Sequence, residues 1–161
     1  MKSTESGTIP TAKRRSKFFL VGGIVLVCGL IGVFVFWKMF SVHADKQAIR
    51  KLLDTRANAL MGKDVARYLS CFSPNYRSAS QTYSDLKTDA LRWFAQFPTI
   101  RFSFRILDMH MENRQNAIVE NHYKFSLVHS GGETLEISQR ELLEIQHENG
   151  EWKIARSVAI Q

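Results

Sequence analysis

ELLEIQHENGEWKIARSV, from Glu141 to Val158, holds two alternating runs about a central Asn149-Gly150. Asn149-Gly150 suits a type I′ two-residue turn, because that turn needs positive φ at both central positions. A turn of that length sets Glu148 opposite Glu151 and aligns Leu143, Ile145 and His147 with Arg156, Ile154 and Trp152. Apolar side chains meet across the two runs, and since strand side chains alternate with period two, a slip by one residue would turn the whole set to water. The segment is an antiparallel hairpin.

On its N-terminal side, Ser130-Gly131-Gly132 joins two alternating runs and brings Leu127, Phe125, Tyr123 and Asn121 opposite Leu135, Ile137, Gln139 and Glu141. Residues Asn113 to Asn116 separate these from a first run that opens at Thr99. Four strands in sequence make an antiparallel meander. The first run changes phase, from Ile100, Phe102, Phe104 and Ile106 to Leu107, Met109 and Met111. A β-bulge at that point turns Asp108 and His110 outward; without one, both face the same side as Asn121 and could form an acid–base pair.

Upstream of the sheet the period becomes helical. Ala48, Ile49, Leu52, Leu53, Ala57 and Leu60 form one stripe that Gly62 stops. Asp64 caps a short second helix over Val65 to Phe72, followed by the turn Ser73-Pro74-Asn75. Ser84 or Asp85 opens a third, carrying Leu86, Leu91, Trp93, Phe94 and Phe97 and closed by Pro98. The domain is therefore α+β, with three helices ahead of an antiparallel sheet.

Phe18 to Trp37, FFLVGGIVLVCGLIGVFVFW, is twenty residues without a charge. At helical rise it spans the roughly 30 Å of a bilayer's hydrocarbon. This predicts a basic tail over residues 1–17, a transmembrane anchor over 18–40 and a globular domain over 41–161. A cleaved signal peptide is the competing reading, since Val42-His43-Ala44 resembles a cleavage site, but the run exceeds the usual h-region of about 7 to 15 residues. Lys13, Arg14, Arg15 and Lys17 favour a cytoplasmic N-terminus and a domain outside, at the bacterial inner membrane facing the periplasm. Lys38, Lys46, Arg50 and Lys51 on the far flank weigh against that orientation.

The net charge of +7 divides unevenly. From Ser41 onward there are 16 Lys and Arg against 14 Asp and Glu, leaving +2 on the domain. The basic excess belongs to the membrane flanks, and nucleic-acid binding loses its electrostatic basis. Cys28 lies in the apolar run and Cys71 alone in the domain, so no intrachain disulfide staples it. The residues show no metal-spaced His/Cys set, phosphate-cradling glycine loop or nucleophile motif, and no cofactor is expected.

Helix, short helix, turn and helix followed by long antiparallel strands, with DVARYLSCFSPNY over Asp64 to Tyr76 and a closing GEWKIARSV, resembles the nuclear transport factor 2-like superfamily. Asp64, Leu69, Phe72, Pro74, Gly150, Trp152 and Ile154 carry the likeness. The resemblance implies a cone, a curved sheet wrapped over the helices with a pocket between, and it implies homodimers. Relatives such as ketosteroid isomerase and SnoaL-like cyclases are enzymes with an acid–base carboxylate in that pocket. The isomerase likeness implies a Tyr on the first helix and a carboxylate just after the second, where this chain has Leu53, Arg56, Ala57 and Leu60, and then Ser73-Pro74-Asn75. Membrane-tethered relatives work in assembly, which implies a non-enzymatic binding or assembly module with an envelope partner. The alternative is a small apolar ligand, bound or converted in the cone.

Polar residues on the sheet's apolar face mark the candidate pocket: Asn121, Tyr123, Gln139, Glu141 and Arg156, with Asp108 and His110 at its mouth if no bulge intervenes. The hairpin register puts Arg156 diagonal to Glu141. The two readings are a buried ion pair and a polar floor that orients a ligand.

Overall fold

The structure is a computed structural model and describes residues 42–79 and 81–160. The expected tail and anchor lie outside the described residues. Among those described, no helix is long and apolar enough to cross a membrane.

Residues 42–61 are helical (α1), followed by α2 (Val65–Ser70), a two-stranded ribbon of β1 (Arg77–Ser78) and β2 (Gln81–Thr82), and α3 (Tyr83–Gln96). Four strands complete the chain: β3 (Thr99–Met111), β4 (Asn116–Val128), β5 (Thr134–Glu148) and β6 (Glu151–Ile160). They form one antiparallel sheet in sequence order, the expected meander. The helices cover one face of it.

Local chemistry sets the helix ends. The Asp64 carboxylate accepts from the Arg67 N–H and caps α2, while Lys63, at φ 54°, turns the chain out of α1. The Lys63 ammonium donates to the carbonyls of Phe94 and Phe97, occupying the negative end of α3 and tying the ends of the two helices together. α2 stops at Ser70, two residues short of the expected end. α3 starts earlier than expected: Thr82 is its N-cap, in a capping box with Asp85. Cys71 to Ser73 instead joins the outer edge of β6, through a Phe72–Ile154 bridge and two 2.9 Å backbone bonds, Ser73 N–H to Ile154 and Ile154 N–H to Cys71. That covers part of an otherwise bare edge strand.

The β4–β5 register matches the expected one, Asn121 opposite Glu141 and Leu127 opposite Leu135. The closing hairpin follows the Asn-Gly prediction from Glu148↔Glu151 to Ile145↔Ile154, with Asn149 and Gly150 both at positive φ. Beyond that pair it departs: Glu144 meets Arg156 and Leu143 meets Ser157, so Ala155 is an extra residue in β6. A second bulge, at Leu107, shifts β3 against β4.

Leu143, Ile145, Ile154, Val119 and Ile49 are completely buried at the centre of a core to which all three helices and all four long strands contribute. Burying a side chain of this size stabilises the fold by about 1.5–3 kcal/mol. The unit from Val42 onward thus has its own core and pairs its long strands among themselves, which is what independent folding of residues 42–161 requires.

Candidate functional site

α1 carries one cation on its apolar stripe. Arg56 lies three residues after Leu53 and four before Leu60, on the face turned to the sheet, and its side chain is 11% exposed. Burial of a guanidinium demands a partner, and Glu141, 5% exposed, supplies it across a 2.7 Å ion pair. The Arg56 Nη1 donates to Glu141 Oε1 and the second terminal nitrogen reaches Oε2 at 3.4 Å. Asn121 Nδ2 donates to Oε1 at 3.1 Å, and Ser157 Oγ donates to Oε2 at 2.9 Å. The guanidinium also lies 5.9 Å from the centre of the Phe72 ring and 5.6 Å from that of Phe102, within cation–π range.

Burial works against both charges, yet each is held. For Glu141, desolvation pushes the carboxyl up, but the Arg56 charge and the hydrogen bonds from Arg56, Ser157 and Asn121 outweigh it and leave the group below its ordinary value. For Arg56, desolvation is likewise overcome, by the Glu141 carboxylate, and the guanidinium is held more firmly charged than usual. The pair is neutral as a whole and ionised at neutral pH. The Arg56 Nε and the Asn121 Oδ1 are buried without a partner among the described residues.

Over this floor opens a cavity of about 600 Å³, within the range of small-molecule sites. Its walls are mainly aromatic: Trp93 packs 6.1 Å from Phe125, and Phe102 stacks on Tyr123 at 5.8 Å. Tyr123 donates to Gln139 Oε1 at 3.2 Å. Burial pushes the Tyr68 phenol up to about 12 against the opposing charge of Arg56, and burial also raises Tyr76 and Tyr123. All three remain protonated at neutral pH, as donors.

The structure brings together Asn121, Tyr123, Gln139 and Glu141 of the residues singled out in the sequence. Arg156 does not join them. The bulge at Ala155 turns it to the outer face, where it pairs with Glu144 at 3.2 Å and is half exposed. Arg56 takes the place expected of it, and Ser157 the diagonal position. Asp108 and His110 are exposed and also face out: the bulge at Leu107 puts them opposite Glu120 and Ile118, so neither lines the pocket mouth. Arg56 was legible as the one cation on the α1 stripe; Ser157 was not, since the hairpin pattern contains nothing that announces an extra residue.

Among the described residues no histidine lines the cavity, and no three His, Cys, Asp or Glu side chains converge as metal ligands would. No carboxylate lines the cavity among the described residues; Glu141 lies behind the lining Arg56 and Ser157, and both its oxygens already accept hydrogen bonds.

No family model matches the chain, and no curated protein matches it in sequence. Solved structures do match in shape. A candidate scytalone dehydratase of Novosphingobium aromaticivorans DSM 12444 superposes with TM-score 0.70 at 10% identity, over 75% of this chain and 86% of its own. A hexachlorocyclohexane dehydrochlorinase, LinA type 2, superposes with TM-score 0.62 at 11% identity, over 75% and 87%. An NTF-2-like protein of unknown function from Shewanella oneidensis MR-1 does so with TM-score 0.59 at 13% identity, over 71% and 98%. The fold is the nuclear transport factor 2-like cone, helices packed on a curved four-stranded antiparallel sheet. At these identities the likeness concerns fold, and the neighbours include enzymes and proteins without a known function.

Proposed function

We propose that this chain is a membrane-tethered binding module whose cone holds a small, mainly apolar molecule without converting it. One observation carries the reading: among the described residues no carboxylate lines the cavity, and Glu141, held behind the lining Arg56 and Ser157, is neutralised by Arg56 and saturated by Asn121 and Ser157. A general base needs a free lone pair and a pKa near the working pH, and Glu141 has neither. The aromatic walls and the protonated phenols of Tyr68 and Tyr76 offer shape, stacking and hydrogen-bond donation instead. The uncharged run from Phe18 to Trp37 supplies the tether in this reading, holding the domain at the periplasmic face of the inner membrane, and the superfamily likeness supplies homodimers.

The test is ligand uptake by residues 42–161. N-phenyl-1-naphthylamine, an uncharged fluorescent probe, should enter the cavity and quench the Trp93 emission in a saturable titration. Ile137→Glu, at the half-exposed mouth, should abolish uptake while leaving the circular dichroism unchanged. Chemically altered compound recovered after incubation with cell-extract metabolites would overturn the non-enzymatic reading. Absence of saturable uptake would overturn the pocket itself.

A further inference from the structure

The face of the sheet turned away from the helices carries a second feature. Strand alternation places Arg101, Ser103 and Arg105 of β3, Ser126, Lys124 and His122 of β4, and Glu136, Ser138 and Arg140 of β5 on that face. The registers align them in three cross-strand rows: Arg101 with Ser126 and Glu136, Ser103 with Lys124 and Ser138, Arg105 with His122 and Arg140. Side chains directly opposite within a row are about 5 Å apart at Cβ. Arg140 is bound to Glu120. No carboxylate lies within 4 Å of Arg101, Arg105 or Lys124 among the described residues.

Within these three rows four cations stand against Glu136 and the Arg140-bound Glu120, while Asp108, Glu144, Glu148 and Glu151 lie with Lys153 and Arg156 elsewhere on the same face. The cations without a carboxylate partner, Arg101, Arg105 and Lys124, are thus gathered on the β3–β4 part of the face. A shallow groove of about 290 Å³ runs between Arg101 and Lys124, with the hydroxyls of Ser103, Ser126 and Ser138 along it and Glu136 at its side. Unpaired cations beside several small hydroxyl donors on a sheet surface are the chemistry that receives the oxygens of a phosphate ester.

We propose that this face docks on the anionic phospholipid headgroups of a bilayer, with Arg101 and Lys124 receiving the phosphate oxygens. The proposal takes from the tethered reading only that a bilayer lies within reach, where a high effective concentration makes a weak site sufficient. Glu136 disfavours dense negative charge in the groove, which suits a singly charged phosphodiester better than a phosphate monoester.

The experiment uses residues 42–161, without the expected anchor, in flotation with vesicles. Zwitterionic phosphatidylcholine vesicles are compared with vesicles holding phosphatidylglycerol at about 30 mol%, a strongly anionic surface. Flotation should occur only with the anionic vesicles and should fall with added salt. Each Lys or Arg at such a surface multiplies partitioning about fivefold, so Arg101→Ala/Lys124→Ala should lose about 25-fold. The charge-matched control Arg50→Ala/Lys51→Ala, on exposed positions of α1, should lose much less.

Equal flotation with both vesicle types, flotation with neither, or equal losses in the two double variants would each overturn the proposal. Competition by millimolar-range glycerol 3-phosphate would overturn it too, by assigning the groove to a soluble phosphate. Because the anchor is absent and the cone untouched, failure here leaves probe uptake and Trp93 quenching as they were, and the two readings fall separately.

Discussion

Replacing Arg56 with Met removes the charge from the floor of the cone while keeping much of the side chain's apolar volume. Glu141 is then left 5% exposed, with Asn121 and Ser157 as its remaining donors. Breaking a buried pair from one side costs about 3–5 kcal/mol, and the surviving hydrogen bonds put this case near 3 kcal/mol. With a urea m-value of about 1.5 kcal/mol/M, the unfolding midpoint of residues 42–161 should fall by about 2 M. The pH dependence follows from the signs. In the native protein the Glu141 carboxyl is held below its ordinary value, so its stabilising contribution is present above that value and is lost as pH falls through the depressed one. In Arg56→Met the opposing charge is gone and desolvation governs, so the carboxyl rises above its ordinary value. That penalty is full at neutral and alkaline pH and is relieved as pH falls through the raised value. The stability gap between the two proteins should therefore narrow from pH 8 to pH 5. The double variant Arg56→Met/Glu141→Gln, which keeps the amide oxygen as an acceptor and carries no buried charge, should recover about half of the loss at neutral pH and show no such narrowing. A single variant within about 1 kcal/mol of the native domain at neutral pH, or a gap indifferent to pH, would refute the account of the floor as a buried charge pair.

Two further substitutions probe the hairpin that builds the site. Ser157→Ala removes the 2.9 Å bond to Glu141 and should cost about 1.5–2 kcal/mol in urea unfolding, against near zero if Ser157 faced solvent as the unbulged register requires. Gly150→Ala should cost about 1 kcal/mol through backbone strain alone, because its φ is +88° although the space around it is open. Gly131→Ala, where the space is equally open and φ is not in the left-handed region, should be neutral or slightly stabilising by the same measurement.

The meander, the β4–β5 register, the bulge at Leu107 and the helical stripe on α1 were all legible because each is a periodicity, and periodicity follows from burying one face of a strand or helix. The Asn149-Gly150 turn was legible for a related reason: its backbone angles exclude most residue pairs. Periodicity also exposed Asn121, Tyr123, Gln139 and Glu141 as polar intruders on an apolar face. It could not reveal what neutralises Glu141. Arg156 stood in the right place for a hairpin of unbroken register, but Ala155 is accommodated as an extra residue, and from there every side chain of β6 changes face. Small bulged residues carry no signature of their own, and whether one is inserted depends on how β6 packs against Cys71 to Ser73 at one edge and β5 at the other. The partner came from α1, which is separated from Glu141 by 85 residues of chain. Local pattern determines which face of an element is buried. Which buried charge meets which is settled only when helices and sheet close on one another, because the cost of a lone charge is felt only once water has been excluded from both sides.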